Sequence, residues 1–358
     1  MSATLGNRLK VTIFGESHSA GIGVVIDGLP AGMEIDGEKI TQAMKRRAPN
    51  ASVASTKRRE PDVPEVLSGC FKGKATGTPL AALIRNQDTR SQDYEKTAEL
   101  LRPGHADYTG LVKYHGANDY RGGGHFSGRL TAPLVFAGSV ARQLLERENI
   151  YVAARIRSIA DIADEGPYSF RKTAETEEKE FAAVDTGIGA KMQEKIRNAH
   201  SEGDSVGGVI ECMIDGLPAG LGEPFFDSVE SRLAHMMFSI PAIKGIEFGK
   251  GFGLAEMRGS EANDTPVIEA GKVSFATNYN GGVGGGITNG MPVVFRVAVR
   301  PTPSIAKEQK TVNIVKMQED SLRIHGRHDS CIVPRAVEVV KCAAALVMAD
   351  LWLEVYGG

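Results

Sequence analysis

One stretch of this chain occurs twice. VIDGLPAGM at residues 25–33 returns as MIDGLPAGL at 213–221, with Asp-Gly-Leu-Pro-Ala-Gly in the same order. Each copy follows an apolar run, IGVVI or GGVIECMI, that reads as a strand. Each precedes a helical pattern, at 37–47 and at 225–238. A shared block in equivalent settings points to a duplicated strand–turn–helix unit. The chain should therefore form two similar halves, about 1–200 and 201–358, related by a pseudo-two-fold axis. No Pro- or Ser-rich linker separates them, so a single domain is expected.

Further strands are expected at 8–14, 79–85, 205–214 and 291–299. The runs 128–150 and 333–356 carry apolar residues at three- and four-residue spacing around most of their circumference, which predicts buried helices. Strands and helices in both halves predict an α+β fold, with helices sandwiched between sheets. The polar stretches 86–98 and 160–185 read as surface excursions or mobile loops.

Composition removes several classes of function. The formal net charge of −2 provides no global basic field for nucleic acid, and the runs KRRAP (45–49) and TKRRE (56–60) read as a solvated face. Cys70, Cys212, Cys331 and Cys342 form no C-x-x-C, which argues against a zinc site or a disulfide framework and fits a reducing cytoplasm. The N-terminus has no apolar signal region. No run reaches the ~18 apolar residues of a membrane span. The expectation is a cytoplasmic protein without metal, nucleic acid or membrane partners. The 42 glycines cluster, which points to tight turns or close backbone approach to a ligand.

Within RGGGHFSGRL (121–130), Ser127 stands where an N-cap belongs, and the helix start beyond it is a ready anion site. Arg129 lies in the first turn, where the helix dipole favours an acid, so a ligand would explain it. His18 follows a strand among small polar residues, and His105 follows a Pro-Gly turn with Asp107 placed to orient it. Arg327, His328 and Asp329 precede the last helix, where a guanidinium could hold an oxyanion and a carboxylate could move a proton. The loops 278–290 and 300–304 could offer backbone N–H groups. Each feature also has a plainer reading, as a satisfied histidine or a turn that fixes a helix start. No P-loop or G-x-G-x-x-G is present, and GDSVG (203–207) precedes a strand, which excludes a nucleophile elbow. These residues describe an enzyme that binds a flat or phosphorylated anion.

FGESHSAGIGVVIDGLP, RGGGHFSGRLTAPLVFAG and GRHDSCIVPRAV resemble, in order and spacing, the signature segments of the chorismate synthase family. RPGHADYTG, KRREPD, NGGVGGGITNG and SIPAIKGIEFGKGF add to the likeness, which runs from about residue 5 to 355. The resemblance implies a β-α-β sandwich and a homotetramer. It also implies a carbon–oxygen lyase that removes phosphate and a C6 proton from 5-enolpyruvylshikimate 3-phosphate in a 1,4-anti elimination to give chorismate. Reduced FMN is required without net redox change. NADPH would enter only as the reductant of the flavin, and the lack of an added reductase-like segment favours a separate flavin reductase. By the same resemblance, His18, His105 and Asp329 are catalytic: one histidine lies near the flavin, the other near the departing phosphate, and Asp329 acts at the C6 proton. Ser17, Arg47, Ser127, Arg129 and Arg327 would hold substrate. His125, Phe126, Ser127, Pro241, Ala242, Gly285, Arg300, Pro301, Thr302, Pro303, Ser304 and Arg327 would hold FMN. The chain departs from many members at Ala48, Val53 and His125, where they carry arginine, at Asn50, where they carry glycine, and at Arg300 and Pro303. A phosphotransferase is disfavoured by the missing P-loop, and a non-catalytic flavin binder by the presence of all three catalytic positions.

Overall fold

In a computed structural model, described for residues 3–48, 62–87, 99–324 and 329–357, the two copies of the repeat occupy the same place in two five-stranded sheets. The first sheet contains Thr4–Leu5 (β1), Lys10–Gly15 (β2), Gly21–Asp27 (β3), Pro64–Ser68 (β4) and Leu80–Arg85 (β5), in the order β1-β2-β3-β5-β4. The second contains Tyr151–Ile159 (β6), Ile162–Ala163 (β7), Gly208–Asp215 (β8), Ile243–Phe248 (β9) and Val293–Val299 (β10), in the order β9-β10-β8-β6-β7. The repeat strands β3 and β8 are central, and each pairs antiparallel with an earlier strand, β2 or β6, and with a strand after the next helix, β5 or β10. Both sheets thus share the connection of their four main strands and differ at one edge, where β1 precedes its neighbour β2 and β7 follows its neighbour β6. The passage between them falls at Tyr151, earlier than the expected division near residue 200.

Alternation puts one face of each central strand in the core. Ile22, Val24 and Ile26 are buried on β3, and Ile210, Cys212 and Ile214 at the matching positions of β8. The repeated leucines, Leu29 and Leu217, are buried too.

Four helices fill the space between the sheets. Gly37–Arg47 (α1) and Val229–Ser239 (α3) follow the two repeats, capped by the side chains of Asp36 and Ser228. Thr131–Arg147 (α2) packs on the first sheet, Val333–Tyr356 (α4) on the second, and the two pack against each other. Both are buried around most of their surface, which explains why their apolar pattern lacks a polar side. Gly138 of α2 meets Cys342 of α4 so closely that a Cβ there would collide with its backbone and side chain. The expected helix at 128–150 is divided: a 3-10 turn at Gly128–Leu130 leads into α2.

Two expectations need correction. Residues 160–185 are not a surface excursion. They contain β7 and a short helix at Phe170–Ala174, bury Asp164, Thr173 and Thr176, and pack Phe181 and Ala182 on the core. Asp164 explains the ordering, because buried Arg155 of β6 donates to its carbonyl at 3.1 Å and pairs with its carboxylate at 3.4 Å. The run KRRAP is also not a solvated face, since Arg46 and Arg47 enter charged networks inside the protein. TKRRE and most of 86–98 lie outside the described residues.

Asp350 of α4 ties the chain ends together. Its carboxylate accepts the backbone N–H groups of Asn7, Arg8 and Leu9 at 2.7–2.8 Å and pairs with Arg232 of α3. Asp350→Ala would leave three amides without their acceptor and strip Arg232 of one of its carboxylate partners, leaving Glu354 at 3.1 Å. It should lower unfolding free energy by about 3 kcal/mol, the range for breaking a buried charged pair, measured by urea denaturation.

Candidate active site

Gly122, Gly123 and Gly124 have φ of 59°, 84° and 54°, a left-handed run that side-chain-bearing residues rarely adopt. A Cβ on Gly122 would strike the ring of His18 and lie against Ser17 Oγ. The Ser17 amide donates to Gly124 O at 3.1 Å, and Ser17 Oγ lies 3.1 Å from His18 Nδ1. The glycine run therefore makes room for a histidine of the protein's own. Its end is fixed by His125 Nδ1, 2.8 Å from Gly15 O. Phe126 follows, its ring over Gly110 and tilted against Tyr114, and it is 42 % exposed. Ser127 caps the next turn as expected, with Oγ accepting the Arg129 amide at 3.3 Å.

Arg47 and Arg129 meet at one carboxylate. Asp62 accepts Arg47 Nη1 at 2.5 Å and Arg129 Nη1 through its other oxygen, and all three side chains are buried. Arg47 also donates to Thr131 Oγ1 at 3.1 Å and Gly128 O at 3.0 Å; Arg129 donates to Asn86 Oδ1 at 3.1 Å. Arg129 at a helix start is thus answered by an acid from another segment. Burial alone would raise the Asp62 carboxyl, but the two guanidiniums outweigh it and hold it below the usual carboxylate range. Burial lowers the Arg47 guanidinium to about 10, which leaves it charged at neutral pH.

A second group surrounds His105. Its Nε2 lies 2.8 Å from Ser304 Oγ. Arg300 Nη2 donates to Gly104 O at 2.5 Å, and the Arg300 amide donates to Ala242 O at 3.0 Å. Pro303 packs against Gly104. Ala242 has φ of 77°, a costly conformation for a residue with a Cβ, and it directly follows exposed Pro241. Ser205 Oγ donates to Thr302 O at 2.6 Å, and the next amide, of Val206, donates to Ser330 O at 2.9 Å. This path connects the 300–304 loop, including Pro301, to the segment of Asp329. The Asp107 carboxylate, expected to orient His105, accepts Arg102 at 2.6 and 2.8 Å. Burial opposes its ionisation, but Arg102 and, to a smaller extent, His105 hold it below the usual carboxylate range.

Asp329 Oδ2 accepts Arg335 Nη1 at 2.7 Å, and Arg335 Nε donates to Arg47 O at 3.0 Å. Burial pushes the nearby Cys331 thiol up to about 12, which keeps it protonated at neutral pH. Arg335 also lines a cavity of about 430 Å³ with Lys45, Arg46, Glu177, Glu338 and Lys341. None of the expected site residues lines it. Gly285, with φ of 62° and open space beside it, joins none of these contacts among the described residues. Arg327 and His328, with Asn50 and Val53, lie outside the described residues. Sequence reasoning missed Asp62, Asn86 and Arg335, although Asp62 closes the KRREPD motif and Arg335 lies in VPRAV.

Because the folded state lowers the Asp62 pKa, its ionised form stabilises the protein above the unfolded value of about 3.9, and that contribution is lost as pH falls through the folded value. The stability gap between the wild type and Asp62→Asn should be full at pH 6 and narrow steadily below about pH 4, as read from urea midpoints.

The family model described as chorismate synthase matches residues 9–353. A relative described as chorismate synthase from Thermococcus kodakarensis is 47% identical over 345 residues, covering 96% of each chain. Another, from Dehalococcoides mccartyi strain BAV1, is 46% identical over 353 residues, covering 99% of this chain and 97% of the relative. A solved structure titled as a crystal structure of chorismate synthase superposes with a TM-score of 0.77 at 28% identity, covering 99% of this chain and 94% of that one. With two five-stranded sheets around buried helices, and with the family model and these relatives matching nearly the whole chain, the chain belongs to the chorismate synthase family.

Proposed function

We propose that this chain converts 5-enolpyruvylshikimate 3-phosphate to chorismate by 1,4-anti elimination of phosphate with reduced FMN. The observation that supports the reading is the linkage of Asp329 through Arg335 to the helix end that carries buried Arg47, which shares Asp62 with buried Arg129. The donor set suits the cofactor. Arg300 Nε and Thr302 Oγ1 are buried and have no hydrogen-bond partner among the described residues, and Phe126 offers an exposed aromatic surface. A phosphate-bearing planar anion needs such donors and such a face. Phe126, Ala242 and Arg300 to Ser304 would hold it, with His125, Pro241 and Gly285 as further contacts implied by family likeness. When bound, reduced FMN supplies electron density transiently and recovers it.

The protein's own groups do the rest. Ser17, Ser127, Arg47 and Arg129 bind the substrate's carboxylates and phosphate, with Arg327 a further member of the set by family likeness. Guanidiniums suit this task because their planar forks pair with such anions two bonds at a time. An arriving anion would compete with Asp62 for both arginines. His18, beside Ser17 and the turn at Gly122, stabilises the departing phosphate. His105, hydrogen-bonded within the 300–304 loop, acts on the cofactor side. The Asp329 carboxylate accepts the C6 proton. The reading includes a homotetramer, which light scattering checks.

Anaerobic incubation with reduced FMN and substrate should release phosphate and chorismate in equal amounts, and no product would sink the reading. Asp329→Asn should cut turnover by at least the ~10² expected for a lost general base, with binding of substrate and FMN largely kept. With NADPH as the only reductant, turnover should be absent until a flavin reductase is added.

A further inference from the structure

We propose that Arg335 is a positioning residue that aims the Asp329 carboxylate and fixes it relative to Arg47. The inference rests on the lyase reading above and deepens it. Arg335 lies in the first turn of α4, after Pro334, where the helix dipole disfavours a cation. It is nonetheless held there by two bonds from one rigid plane, Nη1 to Asp329 Oδ2 at 2.7 Å and Nε to Arg47 O at 3.0 Å. Arg47 is the last residue of α1, so the second bond satisfies a carbonyl at that helix end. The guanidinium therefore joins the end of the helix that carries a substrate arginine to the loop that carries the base.

Backbone contacts alone would not aim this carboxylate. The segment is anchored one residue on, where Ser330 O accepts the Val206 amide at 2.9 Å and Ser330 Oγ lies 3.4 Å from His200 Nδ1. Those contacts place the backbone at Ser330, and the guanidinium of Arg335 reaches the Asp329 carboxylate itself. A proton-accepting carboxylate must be held to within about half an ångström of its productive position, and a misplacement of about 1 Å can cost ~10²-fold in rate. Lysine would not replace Arg335 well, because an ammonium is a point charge without the fork that spans both acceptors.

The test is a double-mutant cycle on the full-length protein, with anaerobic turnover of ordinary and C6-deuterated substrate. Arg335→Ala should lower kcat by about 10- to 10²-fold and raise the C6 deuterium isotope effect, since proton removal becomes more limiting. Calorimetry with oxidised FMN, where no turnover occurs, should find substrate and FMN affinity within about threefold of wild type, because the lost contact is not to either ligand. Arg335→Lys should fall between wild type and Arg335→Ala, and it carries the same comparison if the alanine variant does not fold. Because Arg335 acts through Asp329, Asp329→Asn/Arg335→Ala should be no slower than Asp329→Asn alone. Additive losses, an unchanged isotope effect, or a change confined to KM would overturn the proposal. Full activity of Asp329→Asn would remove Asp329 from the mechanism and the role of Arg335 with it. A wild-type protein that makes no chorismate would instead overturn the underlying lyase reading, and with it the proposal.

Discussion

Everything in this molecule is arranged around the contact between α2 and α4. Each sheet has an apolar face that must leave water, and the two long helices supply the surface that covers both. Their approach depends on Gly138 against Cys342, where a side chain would force the helices apart. With the helices fixed, the sheets are fixed, and the loops at their ends come to set positions. The Asp350 carboxylate closes the assembly by joining the N-terminal segment and α3 to the C-terminal helix.

Charge inside this frame follows one rule, that a buried cation is given an anion of the protein's own. Arg47 and Arg129 share Asp62; Arg46 and Lys341 share Glu177 and Glu338. The second network holds the Glu177 carboxyl at about 2, because Lys341 and Arg142 outweigh its burial. The first network has a functional side. Two buried guanidiniums share one carboxylate, the arrangement on which the proposed binding of an anionic substrate rests. Asp62 holds both in place.

Much of this was legible in the sequence for local reasons. The DGLPAG repeat revealed two halves, because a strand, a turn and a helix each have a short-range signature. Central strands, α1, α4 and the Ser127 cap followed from period and capping chemistry. Other features were not legible, because long-range pairing decides them. Residues 160–185 looked like solvent-facing loop, yet buried Arg155 recruits Asp164 and draws the segment onto the second sheet. Asp107 looked like a partner of His105 alone, but Arg102, five residues earlier, takes both of its carboxylate oxygens. Arg129 suggested a ligand, and Asp62 meets it.

The sequence by itself determined the duplicated architecture, the buried character of the long helices and the residue types of the site, because periodicity, turn chemistry and motif order are written along the chain. Only the tertiary structure decided which carboxylate answers which guanidinium, that the glycine run cradles His18, and that Arg335 stands between Asp329 and Arg47. Those outcomes depend on which side chains meet across distant segments. Electrostatics in a dry interior is decided by distances of a few ångströms that no spacing along the chain encodes.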